Sequence, residues 1–304
     1  MSFSTVLSAA IQGLHVELVH VEADVSNGLP VFHMVGYLSS EVKEASERVR
    51  TAIRNSGIQM PARKMVVNLA PATVRKKGAS FDLPIALAVL ASLGRFSGGQ
   101  LKDTLVVGEL SLDGSVKEVS GVLPMVMRAR DAGVTRCILP KQNVQEGALV
   151  RGMEILGAEH LLEVCRYLSK EQEFSFVMGG TRQEIHKKGG EDEPDYSDIQ
   201  GQEAVKRAAE VAVAGGHNLL MVGPPGSGKT MIAKRVPTIL PPPTLEESIE
   251  ITKIYSVLGM VDKEYPLITG RPFRSVHHTV TKSALIGGGA FPAPGEISLA
   301  HGGV

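Results

Sequence analysis

The sequence predicts an α/β protein of two domains, because short apolar runs of strand length alternate with stretches of helical periodicity. A charged, apolar-poor stretch interrupts that alternation. The run Gly223-Pro224-Pro225-Gly226-Ser227-Gly228-Lys229-Thr230 adds a third observation, a glycine-rich loop of phosphate-binding type in the second half. With 304 residues, 43% hydrophobic and 21% charged, the chain is long enough for two ordinary cores.

Taken in order, Val19, Val21, Ala23 and Val25 alternate with His20, Glu22 and Asp24, the period of a strand with one buried face, and Asn27-Gly28 predicts a turn after it. From 41 to 55, Val42, Ala45, Val49, Ala52 and Ile53 recur at three- and four-residue spacing, and Gly57 is placed to end a surface-lying amphipathic helix. A strand at 65–69, a mostly apolar helix at 83–93 and a strand at 105–108 follow. A helix at 122–132 stops near Gly133 and leads into Cys137-Ile138-Leu139, and a helix at 160–168 closes the first domain. Between Thr181 and Asp198 the run Lys187-Lys188-Gly189-Gly190-Glu191-Asp192-Glu193-Pro194-Asp195 marks a linker. Beyond it, 203–214 reads as a helix and 218–222 as a buried strand running into the glycine-rich loop.

Lys plus Arg equals Asp plus Glu, 32 each, so no global basic field advertises a nucleic acid or an anionic membrane, and any nucleic-acid role is local. Cys137 and Cys165 each lie in an apolar stretch without Cys or His at metal-ligand spacing, so neither a disulfide framework nor a zinc site is suggested. The first residues lack a basic region before an apolar core, and no apolar run approaches the ~18 residues of a membrane span. The expectation is a cytoplasmic protein.

In the loop, glycines let several N–H groups point inward, Lys229 brings a positive charge to the β- and γ-phosphates, and the Thr230 hydroxyl is a ligand for Mg2+. The cofactors expected are therefore ATP and Mg2+, with Gly223, Pro224, Pro225, Gly226, Ser227, Gly228, Lys229 and Thr230 as binding residues and Thr230 as the metal contact. An ATPase of this type also needs an acid at the end of a second apolar strand. After Thr230 no apolar run ends in Asp-Glu, and Glu246-Glu247 follows three prolines and opens a helix. Gly302-Gly303-Val304 reads as the approach to such a strand, so the catalytic acid is unknown and the chain is expected to be a truncated module.

Further stretches carry a resemblance: Gly28-Leu29-Pro30, Asn68-Leu69-Ala70-Pro71-Ala72, Asp82-Leu83-Pro84-Ile85-Ala86 and Gly215-Gly216-His217-Asn218-Leu219-Leu220. Downstream come Arg271-Pro272-Phe273-Arg274 with His277-His278-Thr279, Ala284-Leu285-Ile286-Gly287-Gly288-Gly289, and Pro294-Gly295-Glu296-Ile297-Ser298-Leu299-Ala300-His301. With the P-loop, these resemble the Mg-chelatase-like AAA+ ATPases of the YifB or ComM family over nearly the whole chain. The resemblance implies a Lon-protease-like, ChlI-type α/β domain over 1–178 and a charged linker over 179–198. Over 199–304 it implies a partial P-loop AAA+ α/β domain that ends before the second acidic motif. It further implies a hexameric motor that uses ATP to remodel DNA, with ComM proteins assisting branch migration during transformation. The alternatives are a chelatase-type subunit for metal insertion and a non-catalytic nucleotide-binding fragment.

The Lon likeness also raises proteolysis by a serine–lysine dyad. Lys77-Gly78-Ala79-Ser80 resembles the stretch around the Lon serine, and in the register set by Gly114 and Gly121 the lysine position holds Leu123, which cannot take a proton. Lys117 lies six residues earlier, and Lys76 and Lys77 are read as part of an exposed turn, so the domain is expected to be non-proteolytic and Ser80 a turn residue or helix cap. His277-His278 is read as a nucleotide-state or substrate-contacting loop rather than a metal site. Arg271, Arg274 and the cluster Arg75-Lys76-Lys77 are weak candidates for DNA phosphates.

Overall fold

The computed structural model describes residues 3–180, 195–277, 279–289 and 292–304. These form two compact units, one drawn from Met1–Gln183 and Ser256–Pro266, the other from Glu184–Tyr255 and Leu267–Val304. Most of the expected linker, 181–194, lies outside the described residues.

The first unit runs β1 (Phe3–Gln12), β2 (His15–Ser26), β3 (Val31–Val35), α1 (Ser40–Asn55), β4 (Lys64–Ala70), α2 (Asp82–Ser92), β5 (Thr104–Val106), β6 (Glu109–Leu110), β7 (Val116–Lys117), α3 (Val122–Asp131), β8 (Arg136–Pro140), α4 (Val144–Gly147), β9 (Glu154–Ala158), α5 (Leu161–Leu168) and β10 (Val177–Met178). Eight strands make one mixed sheet in the order β10-β9-β8-β5-β1-β2-β4-β3. The pairs β3·β4, β1·β5, β5·β8 and β8·β9 are parallel, whereas β1·β2, β2·β4 and β9·β10 are antiparallel. This is the mixed α/β architecture expected.

Alternation in β2 buries Val19, Val21, Ala23 and Val25, and the stripe on α1 buries Val42, Ala45, Val49, Ala52 and Ile53, as the two periodicities require. Every residue of α2 is buried, because a helix apolar all round is stable only when covered all round, and α2 packs on β1, β2 and α1. Asn27-Gly28 does bend the chain, but β3 lands beside β4 rather than β2.

The second unit contains α6 (Glu203–Gly215), α7 (Lys229–Ile239), α8 (Leu245–Val257) as far as Tyr255, α9 (Lys282–Ile286), β11 (Gly287–Gly288), β12 (Ala293–Pro294) and α10 (Glu296–Leu299), while Ser256 and Val257 at the end of α8 count with the first unit. Its small core joins Tyr196, Ile199, Ala209 and Ile232, with Val205, Met221, Val236 and Ile239 against them. Thr244 and Glu247 cap α8 reciprocally: Thr244 N donates to Glu247 Oε2 at 2.8 Å and Glu247 N to Thr244 Oγ1 at 3.2 Å.

One expectation fails here. Residues 218–222 form no strand, and Leu220 and Val222 are 86% and 88% exposed rather than buried. A strand needs neighbours for its N–H and C=O groups, and the second unit's ladder among the described residues is β11·β12 alone.

Candidate phosphate-binding site

The loop from Gly223 to Gly228 turns directly into α7. Gly226 and Gly228 sit at φ +79° and +83°, in the left-handed region that a side chain would strain, and Gly228 is the N-cap of the helix. Their conformation turns the loop back over the helix start, where the first N–H groups of α7 lack intrahelical partners and the dipole is positive. Lys229 Nζ is aimed by three acceptors: it donates to Gly223 O at 2.8 Å, Pro224 O at 2.7 Å and Ser227 Oγ at 3.1 Å. An ammonium held across the concave side of this loop, beside free helix N–H groups, can bind a phosphoryl chain.

Pro224, Pro225 and Thr230 are exposed, and Thr230 is the second residue of α7. Its hydroxyl could supply one oxygen to Mg2+, an ion that takes most of its ligands from phosphate and water. Among the described residues no group of three His, Cys, Asp or Glu gathers at a metal-ligand spacing. The glycine-rich turn and the Lys229 ammonium together fit a phosphate chain.

What holds α7 in place was not legible as a motif. Arg235, on α7, donates from Nε to Asp195 O at 3.0 Å and pairs through Nη2 with Asp198 at 3.2 Å. The short turn Tyr196–Asp198 is closed by a capping box between Asp195 and Asp198, and Tyr196 OH donates to Lys206 O at 2.9 Å. An Asp-x-x-Asp pair opening a segment ahead of a helix was the available signal.

Other candidates are spoken for within the fold. Arg274 forms a two-pronged pair with Glu296 at 2.6 and 2.8 Å, which holds the Glu296 carboxyl below its ordinary value. Arg271 binds Glu247, Pro241 O and Gly302 O. Both arginines therefore fasten the segment around residues 302–304, where Val304 N donates to Pro272 O at 2.9 Å and Arg274 N to Val304 O at 2.8 Å. His277 Nδ1 lies 2.7 Å from Thr279 Oγ1, and His278 is outside the described residues.

In the first unit Lys76 corrects the sequence reading: it is fully buried, not exposed. Its backbone is drawn under the strand approach by Lys76 N to Tyr37 O at 2.9 Å and Ser39 N to Lys76 O at 3.0 Å. Its ammonium donates to Pro71 O, and burial lowers its pKa. It is therefore unavailable to a DNA backbone, and Arg75 lies over the Tyr37 ring at 5.5 Å. Ser80 sits in the turn before α2 without capping it, its carbonyl accepting from Gly108 N at 2.9 Å. Leu123, at the Lon lysine position, is fully buried in the first turn of α3. Asp82, from the Asp-Leu-Pro stretch, is structural: it accepts from Arg48 Nε at 2.8 Å and Nη2 at 2.9 Å, tying α1 to α2.

Comparison with known proteins finds two family models that match the chain. Residues 195–304 match the family model described as "Magnesium chelatase, subunit ChlI", and residues 21–143 match "Subunit ChlI of Mg-chelatase". A mixed α/β unit of ChlI type carried in one chain with a P-loop segment defines a Mg-chelatase-like protein. The chain is 42% identical to YifB of Escherichia coli (strain K12) and 40% identical to competence protein ComM of Haemophilus influenzae, in each case over 100% of this chain and 59% of that protein. It belongs to the YifB/ComM family of Mg-chelatase-like proteins. The chain spans about 60% of the length of these relatives. A Lon protease homologue of Spinacia oleracea is 26% identical over 161 residues, 48% of this chain and 18% of that protein. That is consistent with a Lon-like first unit.

Proposed function

We propose that this chain binds ATP with Mg2+ at Gly223 to Thr230, and that the protein works as a hexameric AAA+ ATPase that remodels DNA. The observation that carries the nucleotide half is the Lys229 ammonium, aimed across the loop by Gly223 O, Pro224 O and Ser227 Oγ at the head of α7. Lys229 neutralises the β- and γ-phosphates, loop N–H groups hold them, and Thr230 orients the metal. The DNA half rests on kinship with a protein named for competence. Arg271 and Arg274, engaged by Glu247 and Glu296, organise the fold rather than grip phosphates.

The test is ATP turnover with and without forked DNA, beside a Lys229→Ala variant. Stimulation by DNA that disappears in the variant supports the reading. The matched family descriptions favour a second reading, ATP use in metal insertion, and stimulation by a metal-loading partner instead of DNA would select it.

A further inference from the structure

The first unit has a cleft of about 600 Å³ between the C-terminal turns of α1, the start of β3 and the loop entering β4. That volume lies within the roughly 300–1,000 Å³ of ordinary ligand sites. Phe32, Ile58 and Met60 pack against the core and form its apolar floor. Its charged lining is Arg50, Arg54 and Arg63, all exposed, with no acidic residue among the lining residues.

Three cations around so small a volume are a cost to the fold. Arg50 and Arg54 lie one turn apart on α1, where like charges repel. The helix C-terminus compensates Arg54, which is in the last turn, but not Arg50 or Arg63. Among the described residues none of the three pairs with a carboxylate, although Arg48 on the same helix pairs with Asp82.

We propose that this cleft binds a nucleotide, free or as a unit of a single-stranded nucleic acid, with its phosphate on the arginines and its base on the apolar floor. Guanidinium groups grip phosphate oxygens in pairs, and a flat base covers an apolar floor whatever its identity. The phosphate monoester of a free nucleotide brings up to two negative charges to one point, and a phosphodiester brings one charge on two oxygens spaced for paired guanidinium N–H groups, in either case beside a flat base that a polyanionic peptide lacks.

The test uses the chain carrying Lys229→Ala, so that the loop before α7 does not contribute and failure here is separable from failure there. A fluorescent AMP analogue and a fluorescein-labelled oligothymidylate are titrated by anisotropy against this chain and against the same chain with R50A, R54A and R63A. Expected is a loss of at least about tenfold in affinity, with the slope of log K against log salt shallower by about 2 for the oligonucleotide, from about 0.7 per phosphate contact. A charge-matched control at exposed positions, K102A with R128A and K170A, retains binding. Arginine-dependent binding of the AMP analogue assigns the site to free nucleotides, and of the oligonucleotide alone to the polymer. Three results overturn the proposal: no binding of either probe, equal binding by the triple variant with its melting temperature unchanged, or tighter binding of a polyglutamate peptide than of the oligonucleotide.

Discussion

Glu146 accepts hydrogen bonds from Leu123 N at 2.8 Å and from the Ser256 hydroxyl, with Asn143 Nδ2 at 3.3 Å, and it is 4% exposed. Burial pushes its pKa above the ordinary 4.5, outweighing these donors. The folded protein therefore holds a proton that the unfolded chain releases. The resulting contribution to stability is full below pH 4.5 and is lost as pH rises through the folded value. Urea midpoints measured from pH 4.5 upward should fall more steeply for the native chain than for Glu146→Gln; parallel curves would contradict this. The two thiols are inert for the same reason, with Cys165 pushed up to about 12 and Cys137 raised further by complete burial. A thiol reagent should label neither before unfolding. Lys76 shows what periodicity leaves unread. A basic triplet looks solvated in sequence, and only the pairing of its backbone with Tyr37 and Ser39 buries the middle lysine.

Among the elements, those whose burial is local in origin were legible. The stripe on α1 and the alternation of β2 follow from residue spacing, and the all-apolar α2 announced its own burial. Leu87→Ala, in the middle of α2, should cost roughly 2–5 kcal/mol, read as a lowered denaturation midpoint, because the packed neighbours cannot collapse into the space. The glycine-rich loop was equally legible, since its backbone demands are written as residue types. Gly228→Ala forces a side chain into φ +83° at the head of α7, at a cost of roughly 1–2 kcal/mol, and should weaken nucleotide binding while α7 remains helical by circular dichroism. Residues 218–222 were misread because an apolar run specifies a strand only where neighbours complete the ladder. The capping pair Asp195/Asp198 is a local signal, but its clasp on Arg235 was not legible because it joins Asp195 to a residue forty positions away.

At the scale of the whole molecule there are two units with separate cores: a mixed-sheet unit with an arginine-lined cleft, and a helical unit that carries the glycine-rich loop. No helix among the described residues is long and apolar enough to cross a membrane. Calorimetry should resolve two transitions, and Mg·ATP at a hundredfold excess over its Kd should raise that of the loop-bearing unit by the equivalent of about 2.7 kcal/mol. The most direct measurement of the central claim is a calorimetric titration of Mg·ATP into this chain and into Lys229→Ala. Saturable binding at one site that is lost in the variant, with the melting temperature of the first unit unchanged, is the predicted result. Equal binding by both proteins would show that Lys229 does not hold the phosphates and would contradict the account.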